Sequence, residues 1–222
     1  MAKRKSNRKH TSKIEPAVLT MGYALTIPSG IANFTIDLSQ SASILNRRFY
    51  RQGLNWAVSG FKIRTVGPGI GTVGVAKLPN TWSLSNSWEK VFRAWNRQQR
   101  EALEDGQQES VRARFNDFKI FADPTHLSAG FASNLLPSDN DGNVAVPGEW
   151  EASQLVIPNF GAPGVNFEPF ITAVGPKVSG TGGSYSLIQL YEDSRSVPFS
   201  PDPEVPGGVL STDNILNLMF DV

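Results

Sequence analysis

The sequence contains no cysteine anywhere in its 222 residues. Disulfide staples, Cys-ligated zinc and thiol nucleophiles are therefore excluded, and stability must come from packing or from contacts between subunits. Histidine is almost as scarce, with only His10 and His126 present. A His-based catalytic triad or a multi-His metal site is accordingly not expected. No run approaches the roughly 20 apolar residues that a membrane-spanning helix requires, so membrane insertion is not expected either. The N-terminal stretch has no apolar core of the secretory kind, and no Leu or Phe to build the apolar face of a mitochondrial presequence. No internal repeat is present.

What is there divides by charge. Hydrophobic residues make up 40% of the chain, enough for a core. The formal net charge is only +1, yet Lys3, Arg4, Lys5, Arg8, Lys9 and Lys13 fall within the first 13 residues, unopposed by any acid. Taking those six from the 21 Lys and Arg leaves 15 cations against 20 Asp and Glu. A short cationic tail on a mildly acidic body is the pattern of a polyanion-binding arm, and these six residues are the expected phosphate contacts. The same charges also read as a nuclear localisation signal. With so much like charge and so little apolar surface, residues 1–16 are expected to be disordered.

Beyond Pro16 the apolar residues recur every second position. Met21, Tyr23, Leu25 and Ile27 alternate with small residues, as do Phe34, Ile36 and Leu38. Leu54, Trp56 and Val58 continue the pattern until it slips by one at Ser59-Gly60, after which Phe61 and Ile63 resume it. A one-residue slip at glycine predicts a β-bulge. Further strands are expected over 72–78, 117–122, 153–158, 169–174 and 184–191, separated by turn-rich clusters at 137–148 and 179–183. The resulting expectation is an all-β chain, a single jelly-roll β-sandwich over residues 17–195 with one or two helices inserted in its loops. One helix is expected over 40–51. The other spans 86–105, with Asn86 and Glu89 as a capping box, an apolar face of Trp88, Val91, Phe92, Trp95, Ala102 and Leu103, and Gly106 as its stop. Residues 196–222 read as a Pro-rich loop followed by an apolar segment opening at Ser211 or Thr212. A domain seldom stops within an apolar run, so this segment is expected either to dock on a neighbour or to continue into further chain.

Candidate chemistry is sparse. Gly69-Ile70-Gly71-Thr72-Val73-Gly74 matches a dinucleotide-binding fingerprint, but strand-like residues and Pro79 follow it where a helix should open, so it reads as a glycine-rich hairpin. Asp37, Asp117, Asp123, Glu149 and Glu151 are scattered; a glycosidase pair among them would need a separation that sequence does not reveal. Asp139 and Asp141 have the spacing of hydrated turn residues more than of a calcium loop. Asn33-Phe34-Thr35 is a formal glycosylation sequon, read here as the start of a strand. No catalytic residue, cofactor site or metal site is expected. Arg47, Arg48 and Arg51 form a second cationic cluster, suited to phosphate or to a neighbouring subunit, with a solvated helix face as the plain alternative.

Several segments carry a resemblance. Ile36-Asp37-Leu38-Ser39, the run Leu45 to Trp56 (LNRRFYRQGLNW), Lys77-Leu78-Pro79-Asn80-Thr81-Trp82 and Trp88 to Gln99 (WEKVFRAWNRQQ) resemble capsid proteins of circular, replication-initiator-encoding single-stranded DNA viruses, in particular the marine and bacilladnavirus-like groups. The resemblance covers roughly residues 20–125. It implies a jelly roll, many copies in an icosahedral shell, a basic arm facing packaged single-stranded DNA, and residence in the virion; the basic arm carries the expectation of the host nucleus during assembly. The expected function is therefore a non-enzymatic, self-assembling capsid subunit. Two alternatives come from other classes: a carbohydrate-binding or hydrolytic β-sandwich using Trp82 or Trp150 as a sugar platform, and a non-viral nucleic-acid-binding protein.

Overall fold

A single amphipathic helix organises the core. The computed structural model describes residues 20–28, 30–66, 71–113, 115–158, 165–178 and 183–199. Helix α2 spans Trp82–Asp105 and buries Val91, Phe92 and Ala94, while Trp88 and Trp95 lie half-buried against the same core. The expected apolar face is packed from Trp88 to Trp95, whereas Ala102 is exposed and Leu103 lies outside this core. The helix start differs: Thr81, not Asn86, is the N-cap, its Oγ1 accepting from the Leu84 N–H at 3.3 Å. The Asn86 amide instead donates to the Tyr191 hydroxyl at 2.9 Å. A local capping pattern was outcompeted by a long-range partner, and the helix gained a turn. Gly106 is the C-cap.

Helix α4 (Leu187–Phe199) packs against α2, and both close over Phe118, Ile120, Leu155, Ile157 and Ile171. The strands are few and short. β1 (Ile157–Pro158) pairs antiparallel with β2 (Asn166–Phe167), and β3 (Phe170–Thr172) pairs parallel with β4 (Ser184–Ser186). Single bridges from Phe121 and Gln154 to β3, and from Val178 to β4, widen the second ladder. Helix α1 (Leu38–Asn46) and the short α3 (Pro124–Ala129) complete the α-helices among the described residues, beside two single-turn 3-10 helices at Glu109–Val111 and Phe131–Ser133.

This architecture overturns the jelly roll. Among the described residues 32% are helical and only 10% lie in strands, in two sheets of two strands each. The reason is specific. Residues 20–28, 30–37, 54–66 and 71–80 form neither helix nor strand despite their alternation, none enters a ladder, and no bulge forms at Ser59-Gly60. Period two suits a strand; it does not supply a hydrogen-bonding partner. Two further corrections follow the same logic. The strand expected over 184–191 ends at Ser186, whose Oγ accepts from the Gln189 N–H at 3.3 Å and so marks the start of α4. Buried Leu187 and Leu190 then stand one helical turn apart. Helix α4 also runs four residues into the segment read as a Pro-rich loop from 196. The expectations for residues 1–16 and for the apolar segment from 211 lie outside the described residues, as do Gly69 and Ile70 of the glycine motif.

Candidate nucleic-acid interface

Short polar side chains on α1 build one side of the site. Asp37 caps the helix, Oδ1 accepting from the Ser39 and Gln40 N–H groups at 2.9 and 3.3 Å. Its Oδ2 accepts from Gln52 Nε2 at 2.7 Å and from Trp150 Nε1 at 3.1 Å. All of its acceptor capacity serves architecture, which leaves nothing of a catalytic carboxylate. Helix α1 ends at Asn46, five residues earlier than expected, its C-cap Arg47 lies in the left-handed region (φ 50°), and the chain doubles back. Ser43 and Ser39 then hold the returning strand: Ser43 Oγ accepts from the Tyr50 N–H at 2.8 Å, and Ser39 Oγ donates to the Arg51 carbonyl at 3.3 Å.

The return leg delivers three arginines. Arg47 and Arg48 are exposed at the helix C-terminus, with Arg48 5.8 Å from the Tyr50 ring centroid. The negative end of the α1 dipole favours cations here by about 0.3–1 kcal/mol. Arg51 lies over the rings of Trp88 and Phe92, at 5.8 and 5.7 Å, and so roofs the aromatic core. Gly53 makes that approach feasible: a Cβ on it would stand 2.7 Å from the Trp88 ring, and its φ of +83° is one that other residues rarely adopt.

Phe49 connects this corner to a second basic element. Its ring meets Phe115, half-exposed, at 5.5 Å. Phe115 lines a shallow cleft of about 70 Å³ together with Trp95, Arg100, Arg112 and the amides Asn96, Gln99 and Asn116. Along α2, Arg93 and Arg97 are neutralised by Glu89 at 2.8 Å and Glu101 at 2.6 Å. Arg100 and Arg112 form no such ion pair among the described residues. The surface therefore alternates cations with aromatic faces, the combination that holds single strands by phosphate attraction and base stacking. Arg47, Arg48 and Arg51 were singled out from the sequence; Arg100, Arg112 and Phe115 stand beside them only in the structure. No sequence signal joins these positions, because the Phe49–Phe115 contact spans 66 residues. Lys3, Arg4, Lys5, Arg8, Lys9 and Lys13 lie outside the described residues.

Other candidates are accounted for by structure. Lys119 is buried, paired with Asp117 and 4.5 Å from the Trp150 ring. Trp150 is thereby engaged on its nitrogen and on a face, a poor sugar platform. Asp139 accepts from the Asn143 backbone and side chain and from the Asp141 N–H, bonds that hold its carboxyl below the usual range. It closes a turn. Among the described residues no cluster of His, Asp and Glu could hold a metal ion, and no helix is long and apolar enough to cross a membrane.

Beneath α1 runs a buried polar chain ending in His126. Gln40 Nε2 donates to the Pro147 carbonyl, and Gln40 Oε1 accepts from Asn134 Nδ2 at 2.9 Å. Asn134 Oδ1 meets His126 Nε2 at 2.7 Å, while His126 Nδ1 accepts from the Ala122 N–H at 3.1 Å. Nδ1 has no room for a proton, so the ring is neutral with its hydrogen on Nε2. Burial pushes its pKa below the ordinary 6.5, against the opposing pull of Asn134, Asp123 and Asp37. The unfolded chain then binds the proton more readily, so stability is full above about pH 6.5 and declines as pH falls toward the folded value. Urea midpoints measured from pH 8 to 5 should show that decline, and His126→Asn should lose this part of it.

A protein-family model, a curated protein and a solved structure were each sought for the chain, and none matches.

Proposed function

We propose that the protein is a virus capsid subunit, a non-enzymatic structural protein that assembles with its own copies into a closed shell and packages a single-stranded nucleic-acid genome. The observation that carries this reading is the charge split. Six cations stand in the first 13 residues, and the remaining chain is net acidic. Such an arm neutralises phosphates without reading sequence, while an acidic body resists wrapping by the same polyanion. The basic and aromatic surface formed by Arg47, Arg48, Phe49, Phe115, Arg100 and Arg112 supports it as a second, weaker contact. Icosahedral symmetry and a DNA genome rest on the resemblance, passage through the host nucleus rests on the basic arm, and all three belong to the same proposal. The sugar-binding alternative has less support, since Trp150, one of its two platforms, is held by Asp37 on its nitrogen and by Lys119 on its face. The decisive experiment examines purified protein by electron microscopy for shells that enclose a nuclease-resistant strand.

A further inference from the structure

In the cleft beside α2, polar groups stand without protein partners where the same groups nearby have found them. Gln98 engages both ends of its carboxamide on Val156, Nε2 donating to the carbonyl and Oε1 accepting from the N–H at 3.2 Å. Asn96, Gln99 and Asn116, the three carboxamides that line the cleft, make no hydrogen bond to the protein among the described residues. The arginines divide in the same way. Arg97 pairs with Glu101 four residues on. Arg100 has Glu104 at that same spacing, yet no ion pair joins them among the described residues.

Two rings line the same space. Trp95 is half-buried and set against Phe118 at 5.4 Å, while Phe115 is 54% exposed and meets Phe49. No Asp or Glu is among the described residues of the lining.

We propose that this cleft is a binding site for one nucleotide of a single strand. The base lies against Phe115 and Trp95 with its edge hydrogen-bonded by the three carboxamides, and Arg100 and Arg112 hold the phosphate. The inference rests on the nucleic-acid reading above and names what the body takes from the strand, beside the phosphates taken by the arm.

Each component narrows the ligand. Two guanidiniums with no carboxylate in the lining favour an anion, and their planar forks match phosphate oxygens. Aromatic faces favour a flat π-system over a free phosphate or an acidic peptide. A carboxamide offers a donor and an acceptor side by side, the complement of the edge of an unpaired base. Within a duplex that edge and the base's faces are occupied, so the ligand is single-stranded. At about 70 Å³ the cleft has the room of roughly two waters, which suits the edge of one base with the sugar left in solvent.

The test is photo-crosslinking of the full-length protein to a single-stranded oligonucleotide carrying 5-iodo-2′-deoxyuridine, followed by trypsin and mass spectrometry. An iodinated base lying on a ring joins to it, so the modified peptides should be 94–97, which holds Trp95, and 115–119, which holds Phe115. Affinity is then compared for an ordinary oligonucleotide and for one of equal length whose bases are replaced by abasic sugars. The arm contributes equally to both, so their ratio isolates the bases. Phe115→Ala should lower that ratio by a factor on the order of 10. Arg100→Gln with Arg112→Gln should instead weaken both ligands and lower the salt slope by about 1.4. All three side chains are exposed, so the variants should keep the parent's circular dichroism. Strand binding with crosslinks confined to other peptides would overturn this site and leave packaging by the arm intact. So would an unchanged ratio in folded Phe115→Ala. A protein that binds no single strand would overturn both. Where a variant fails to fold, the crosslinks of the parent decide.

Discussion

Deleting residues 2–13 flattens the dependence of single-strand affinity on salt by about 4 units in the slope of log affinity against log salt. The estimate follows from six cations, each releasing about 0.7 counterions per phosphate neutralised on a single strand. Affinity at low salt falls with it, and falls equally for unrelated sequences, because lysines and arginines on phosphates carry no base information. The deletion leaves the circular dichroism of the body unchanged, since the buried set of Val91, Phe118, Leu155, Ile171 and Leu190 lies far along the chain from the arm. The measurement is binding of intact and truncated protein to two oligonucleotides of different sequence across a salt series. An unchanged slope would transfer the contact to Arg47, Arg48, Arg51, Arg100 and Arg112. Loss of binding to one oligonucleotide alone would mean that the arm reads sequence, and packaging would have to be abandoned.

Phe92→Ala destabilises the protein by roughly 3–5 kcal/mol. Phe92 is buried at the centre of an aromatic cluster, stacked on Trp88 at 5.1 Å and set against Phe118 at 5.7 Å and Trp95 at 6.4 Å. Truncation opens a cavity on α2 beneath the Arg51 guanidinium and removes the ring that cation covers. A loss of this size is a large share of the about 5–15 kcal/mol that holds a domain folded. Trp88→Ala and Trp95→Ala should cost less, because both rings are only half-buried. Urea unfolding gives the differences directly. A Phe92→Ala protein of parental stability that no longer bound single strands would instead make the cluster a base-stacking platform.

Local signals were legible in the sequence, and pairing was not. The apolar stripe of α2 from Trp88 to Trp95 and its Gly106 stop stood out because their partners lie within a turn or two of helix. So did the existence of α1, although its end did not: the left-handed Arg47 is set by the serines that draw Tyr50 and Arg51 back along the helix. The sandwich inferred from the alternation over 20–28, 30–37, 54–66 and 71–80 did not form, because strand order depends on contacts that alternation does not encode. The site divides in the same way. Arg47, Arg48 and Arg51 announce themselves as a cluster, whereas Arg100, Arg112 and Phe115 join them only through the contact of Phe49 with Phe115. Gly53 was quoted within a distinctive run, yet its reason, the face of Trp88 against its backbone, exists only in three dimensions.

The central claim is that copies of this chain enclose a strand that the basic arm retains. Protein purified without nuclease treatment, digested with nuclease, and then examined by electron microscopy and for extractable nucleic acid tests it most directly. The account predicts closed shells of uniform size that contain a nuclease-resistant strand, and shells that are empty when residues 2–13 are deleted. Monomers or dimers free of nucleic acid at every concentration would contradict it.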